Sequence, residues 1–153
     1  MAWNKDFSDS IREIDSKNGK MSVGDWRMLA AVLYWCEGEK GLSSTLTFAN
    51  SDPAMVSLFL KSLKNGFDVD LGKFRALVHV HEYHDLDEVR AFWSDITGLS
   101  ENQFHREYVK PHSGTRKRKD YMGCISIRYS DPVVARKVRS LYHALAKKHG
   151  GVG

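Results

Sequence analysis

Three groups of side chains in this 153-residue sequence have types and spacings that suit chemistry. The first is a single carboxylate. Glu37 follows an unbroken apolar run, Met28 to Cys36, in the stretch MLAAVLYWCEGEKG. Ala30-Ala31 and the run-up from Asp25 favour helix there. A carboxylate at a helix C-terminus meets the negative end of the dipole, at a cost of about 0.3–1 kcal/mol. A bound cation would offset that cost; a solvated surface glutamate is the competing reading. The second group is positive charge. Lys73, Arg75, His79 and His81 share one face of an alternating segment, and residues 106–119 carry six Lys or Arg against one acid, Glu107. Positive side chains at such spacing suit phosphate. The third group is His79-x-His81-x-x-His84, in which alternation puts the first two imidazoles on one side, as a zinc site requires.

The elements that must carry these groups follow from periodicity and caps. Ser22 and Asp25 form an S-x-x-D capping pattern before the apolar helix, and Gly38 suits its C-terminal end. This helix is apolar all round. A surface helix keeps a polar face, so here a second protein surface is expected to cover what the chain's own core does not. Ser43 to Asn50 alternates as a strand. Ser51-Asp52-Pro53 opens a helix with Val56, Phe59, Leu60 and Leu63 inward, ending at Asn65-Gly66. Lys73 to His81 is a strand with Phe74, Ala76, Val78 and Val80 on its core face and Leu77 as the one leucine among the basic residues opposite. Asp85 to Glu88 caps a helix that stops at Gly98. Arg106 to His112 is extended or looped, Ser113-Gly114-Thr115 is a turn, and Arg116 to Lys119 is a basic run. Tyr121 to Tyr129 is a strand with Arg128 on its polar face, and a second Ser-Asp-Pro, Ser130 to Pro132, opens the last helix. Residues 1–24 read as a polar appendage with a short helix around Asp9 to Ile14. Residues 25–149 read as one domain of class α+β.

Composition is that of an ordinary globular chain, 42% hydrophobic and 27% charged, with a net charge of +4. The positive balance suits an anionic partner. The N-terminus, MAWNKDFSDS, has no apolar core of a signal peptide, and the longest apolar run is about half of a membrane span. Cys36 and Cys124, both in apolar surroundings and without metal-ligand spacing, predict buried thiols in an intracellular, cytoplasmic protein.

Ala30-Ala31-Val32-Leu33-Tyr34-Trp35-Cys36-Glu37-Gly38 resembles the signature helix of the LAGLIDADG homing endonucleases. Small residues come early, bulky apolar ones follow, and an acid and a glycine close the motif. The order of what comes after it, FANSDPAMVSLFLKSL, HVHE, FWSDITGL, YVKPHSGTRK and a closing SDP helix, is similar to small single-motif prokaryotic members over about residues 26–145. The resemblance implies a curved antiparallel sheet that saddles duplex DNA, with helices packed on its other face. It implies a homodimer in which two such helices pack through Ala30, Ala31, Leu33 and Tyr34. It also implies a site-specific DNA endonuclease: the acid, Glu37, binds Mg2+ or Mn2+ at the scissile phosphate, and a nearby lysine, Lys110 or Lys117, assists. The expected DNA contacts are Lys73, Arg75, His79, His81, Lys110, Arg116, Lys117, Arg118, Lys119 and Arg128. A transcriptional regulator that keeps the fold without cleavage is the alternative. Three departures stand out: Glu replaces the more usual Asp, a helix follows the first strand directly, and an extra helical segment lies between Asp85 and Phe104. The histidine trio separately resembles the H-x-H-x-D-H of metallo-β-lactamase-like hydrolases, departing at Tyr83 where that family has its acidic ligand.

Overall fold

The computed structural model describes residues 2–16, 20–111 and 120–151. Five helices are α1 (Ala2–Ser16), α2 (Val23–Glu37), α3 (Pro53–Gly66), α4 (Leu86–Thr97) and α5 (Pro132–His149). Four strands are β1 (Thr45–Asn50), β2 (Phe74–His81), β3 (Tyr108–Lys110) and β4 (Cys124–Ser130), in the spatial order β1-β4-β2-β3.

Local chemistry explains where these elements begin. The Ser22 hydroxyl accepts from the Asp25 amide while the Asp25 carboxylate accepts from the Ser22 amide. Asp52, Asp85 and Asp131 each accept two backbone amides at the starts of α3, α4 and α5. In the two Ser-Asp-Pro sequences the aspartate is the cap, and the proline follows in the first turn, where its missing N–H costs nothing. At the end of α4, Gly98 takes the left-handed conformation (φ 70°), which favours glycine.

Gly38 is different. The sequence suggests a residue that closes α2 by its conformational freedom, yet its backbone is extended (φ −79°). The reason for glycine is space: a Cβ there would stand 2.4 Å from the Tyr34 ring. From Gly38 the chain runs beside β1, with a bridge to Phe48 and an N–H bond from Glu39 to the Thr47 carbonyl.

The sheet is mixed rather than wholly antiparallel. β4 pairs antiparallel with both β1 and β2, but β3 runs parallel to β2. The cause is the extra helix: α4 carries the chain from the end of β2 back to its beginning, so the next strand must run the same way. One sheet face is core. Leu46 and Phe48 of β1, Phe74, Ala76, Val78 and Val80 of β2, and Ile125, Ile127 and Tyr129 of β4 are buried with side chains of α2, α3, α4 and α5. The period-2 alternation of β2 emerges as the sequence suggests.

Arg139 of α5 is buried in this layer, where it donates to the Ser43 and Thr45 carbonyls and to the Tyr34 hydroxyl. Tyr34 in turn donates to the Glu39 carbonyl at 2.7 Å. One guanidinium thereby joins the last helix, the end of α2 and the entry to β1. No described helix is long and apolar enough to cross a membrane.

Candidate nucleic-acid interface

Among the described residues the helices pack their buried side chains on the core face, and the residues of the second face are set by register. Arg75 of β2 is directly opposite Arg128 of β4, and Arg128 is opposite Thr47 of β1. One step along, Leu77 faces Ser126, which faces Ala49. A further step brings Cys124, His79 and Tyr108 into one row, and His81 then pairs with Lys110. The centre of the face is made of Thr47, Leu77, Ser126, Ala49 and Cys124, while Arg75, Arg128 and Lys110 are exposed around it. No strand residue on this face is acidic.

The positive groups are held differently. The Arg75 guanidinium bends back to donate to the Gly72 and Phe74 carbonyls at 2.5 and 2.7 Å. Lys73 lies 3.6 Å from the Asp131 carboxylate, whose pKa is lowered first by the Val134 amide, with smaller help from Val133 and Lys73. Lys73 is thus partly neutralised, and Arg128 is the least engaged of the three. Glu107, the acid among the basic residues of the following segment, is paired with Arg90 of α4.

His79 lies within this positive field. Its Nε2 is 3.2 Å from the Ser126 hydroxyl, and the Tyr108 ring is 5.7 Å away. Burial lowers its pKa from 6.5, and the nearby positive charges of Lys110 and Arg128 lower it further. The ring is a neutral hydrogen-bonding group at neutral pH. Tyr108 itself is exposed, and the sequence reading passed over it. A lone tyrosine in a three-residue strand with no buried side gives no periodic signal.

The histidine trio does not form a zinc site. The His84 Nδ1 accepts from the His81 amide at 2.8 Å, so its proton is on Nε2, which donates to the Tyr121 carbonyl at 2.7 Å. Both nitrogens are used in fastening the turn after β2, and none is left for a metal. Among the described residues no three His, Cys, Asp or Glu side chains converge as metal ligands.

Glu37 is exposed at the tip of α2, where its carboxylate accepts from the Asn50 amide at 3.3 Å. It stands at the β1 edge of the sheet, whereas Lys110 is on β3 at the opposite edge. Three strand spacings separate β1 from β3, roughly 14 Å. Glu37 and Lys110 of one chain are therefore not brought together, and one carboxylate with one amide does not make a metal site. Arg116, Lys117, Arg118 and Lys119 lie outside the described residues.

The residues expected to face a second copy are also placed differently. Ala30, Ala31 and Tyr34 are fully buried inside the chain, and Leu33 packs against the same core. The small residues of α2 bring it close to its own neighbours. The opposite side of α2 presents Met28, Leu29, Val32, Trp35 and Cys36, of which Met28, Trp35 and Cys36 are exposed. Cys36 is thus a surface thiol, contrary to the sequence expectation, while Cys124 is half-buried and its pKa raised by that burial. Comparison with protein-family models, with curated proteins and with solved structures found no match to this chain.

Proposed function

We propose that this protein binds DNA through the open face of its sheet. One observation carries the reading: Arg75 and Arg128 are directly opposed on the two central strands, and no strand residue on that face is acidic. Like charges at opposed positions are unfavourable to a sheet, and an anionic backbone laid across them turns that repulsion into attraction. Lys110 and the neutral His79 extend the surface along the strands. The small side chains of Thr47, Ala49 and Ser126, with Leu77 beside them, leave room for a phosphate backbone. Duplex DNA titrated in rising salt tests this: log affinity must fall linearly with log salt as counterions are released. A flat response rules it out.

A site-specific, Mg2+- or Mn2+-dependent endonuclease of LAGLIDADG type, acting as a homodimer, is the second reading. What favours it is the exposed Glu37 carboxylate at the tip of α2 beside the sheet edge. A single chain supplies too few oxygen ligands, so this reading needs a second copy, with phosphate oxygens and water completing the shell. Without cleavage, the same surface serves a sequence-specific DNA-binding regulator.

A further inference from the structure

Helix α1 buries none of its residues in its own chain. Yet Trp3, Phe7, Ile11 and Ile14 recur at helical spacing, and they are 73%, 54%, 44% and 62% exposed. At 100° per residue these four share one narrow stripe. Its borders are acidic, with Asp6 and Glu13 on one side and Asp15 on the other, while Lys5 and Arg12 lie on the far side. Such a stripe on an isolated 15-residue helix has no reason to persist in water unless something covers it.

The matching surface is the outward side of α2. A groove of about 750 Å³ runs there between Met28, Leu29, Val32 and the Trp26 ring. Lys20 and Lys61 stand on its rim, and the Lys61 ammonium lies over the Trp26 ring at 5.8 Å. The one acid of α2 on the rim, Asp25, is engaged in the capping box at Ser22. An apolar stripe edged with acids thus has, in the same sequence, an apolar groove whose lining carries Lys20 and Lys61 beside the capping Asp25 and the chain's own Glu13. In the chain itself the last turn of α1 forms part of this groove through Glu13 and Ile14, and Trp3, Phe7 and Ile11 do not line it.

We propose that α1 of one copy docks in the α2 groove of a second copy, reciprocally, so that the dimer is held by exchanged N-terminal helices. Two buried aromatic rings supply roughly 150 Å² or more each. Doubled by the two-fold exchange and again by the surface they cover, they reach roughly 1,200 Å², within the range of a specific interface. The isoleucines add to this. The proposal concerns a dimer, as the nuclease reading does, but through a different surface from the helix pair that the resemblance implies, and it is independent of DNA binding by the sheet.

The test uses the full-length chain. Sedimentation velocity across a micromolar concentration series should show a dimer, and a Trp3→Ala/Phe7→Ala variant should weaken self-association roughly thirtyfold or more. The domain fold is unaffected, because α1 contributes nothing to the core. In a Cys36→Ser/Cys124→Ser background, chains carrying Ser10→Cys, beside the stripe, are mixed with chains carrying Val32→Cys. Both positions are central in their helices, so either helix direction brings them close. A disulfide-linked product of twice the mass is expected on oxidation. A monomer at every concentration overturns the proposal. So does a dimer that the double variant leaves intact, or a disulfide that forms only when one chain carries both cysteines. DNA titration of the same variants keeps the two readings apart: loss of the dimer with duplex binding retained supports pairing through α1 apart from recognition by the sheet, whereas loss of duplex binding together with the dimer overturns that separation.

Discussion

Replacing Arg128 by threonine should make the protein more stable and a poorer ligand for DNA. Arg128 and Arg75 oppose each other on antiparallel strands. Relieving such a like-charge pair returns about 0.2–1 kcal/mol, and a β-branched residue suits the pleated surface beside Thr47. For a chain of this length the gain corresponds to a rise in Tm of up to about 4 °C. The same change removes one phosphate partner, so the slope of log affinity against log salt should shrink by about 0.9. Between 50 and 200 mM salt that difference grows to roughly three- to fourfold in relative affinity. The assay is fluorescence anisotropy on a labelled duplex at four salt concentrations, with thermal melting of the free protein alongside. The opposite signs carry the information. A variant that melts lower and keeps the full salt slope would refute the reasoning, since Arg128 would then be a structural residue.

Gly38→Ala should destabilise the chain by about 1–3 kcal/mol or more, read as a lower urea midpoint, because its Cβ would overlap the buried Tyr34 ring. The lowered pKa of His79 means that the unfolded chain takes up this proton at higher pH than the folded one. Stability is then complete above about 6.5 and is lost as pH falls through that value towards the folded pKa; His79→Gln should flatten this acid limb in pH-dependent melts. Bound phosphate should reverse the shift, so NMR titration of His79 with duplex present should show a higher pKa than in the free protein. If the nuclease reading holds, Glu37→Gln abolishes Mg2+-dependent nicking and leaves binding intact; duplex binding with no nicking by the unaltered chain favours the regulator.

The starts of helices were legible because capping is local. Ser22, Asp52, Asp85 and Asp131 announce themselves within four residues, and the alternation of Phe74 to Val80 marks a half-buried strand. What depends on distant pairing was not legible. β3 has three exposed residues and no periodic face, so nothing local marks Tyr108 to Lys110 as a parallel edge strand. The direction in which α2 faces was misread for a related reason. Ala30 and Ala31 suit close packing, but composition does not say against which surface, and the buried Tyr34 and Arg139 decide it. The stripe of α1 was present at helical spacing and was masked by the polar residues between its members. On the candidate interface, each basic residue of β2 and β4 was identified singly. Their juxtaposition rests on a register set by Ile125, Ile127 and Tyr129 on the opposite side of the sheet.

The order β1-β4-β2-β3 also bears on how the chain comes to be made. The strand synthesised last sits at the middle of the sheet, and both β1 and β2 depend on it for antiparallel partners. Arg139, later still, closes onto Ser43 and Thr45. A nascent chain emerging from the ribosome therefore holds β1 and β2 without their antiparallel partner until β4 arrives, and its rate of folding is set by long-range closure. Truncation before Cys124 should leave an aggregation-prone fragment, since β1 and β2 then lack the strand that pairs with both.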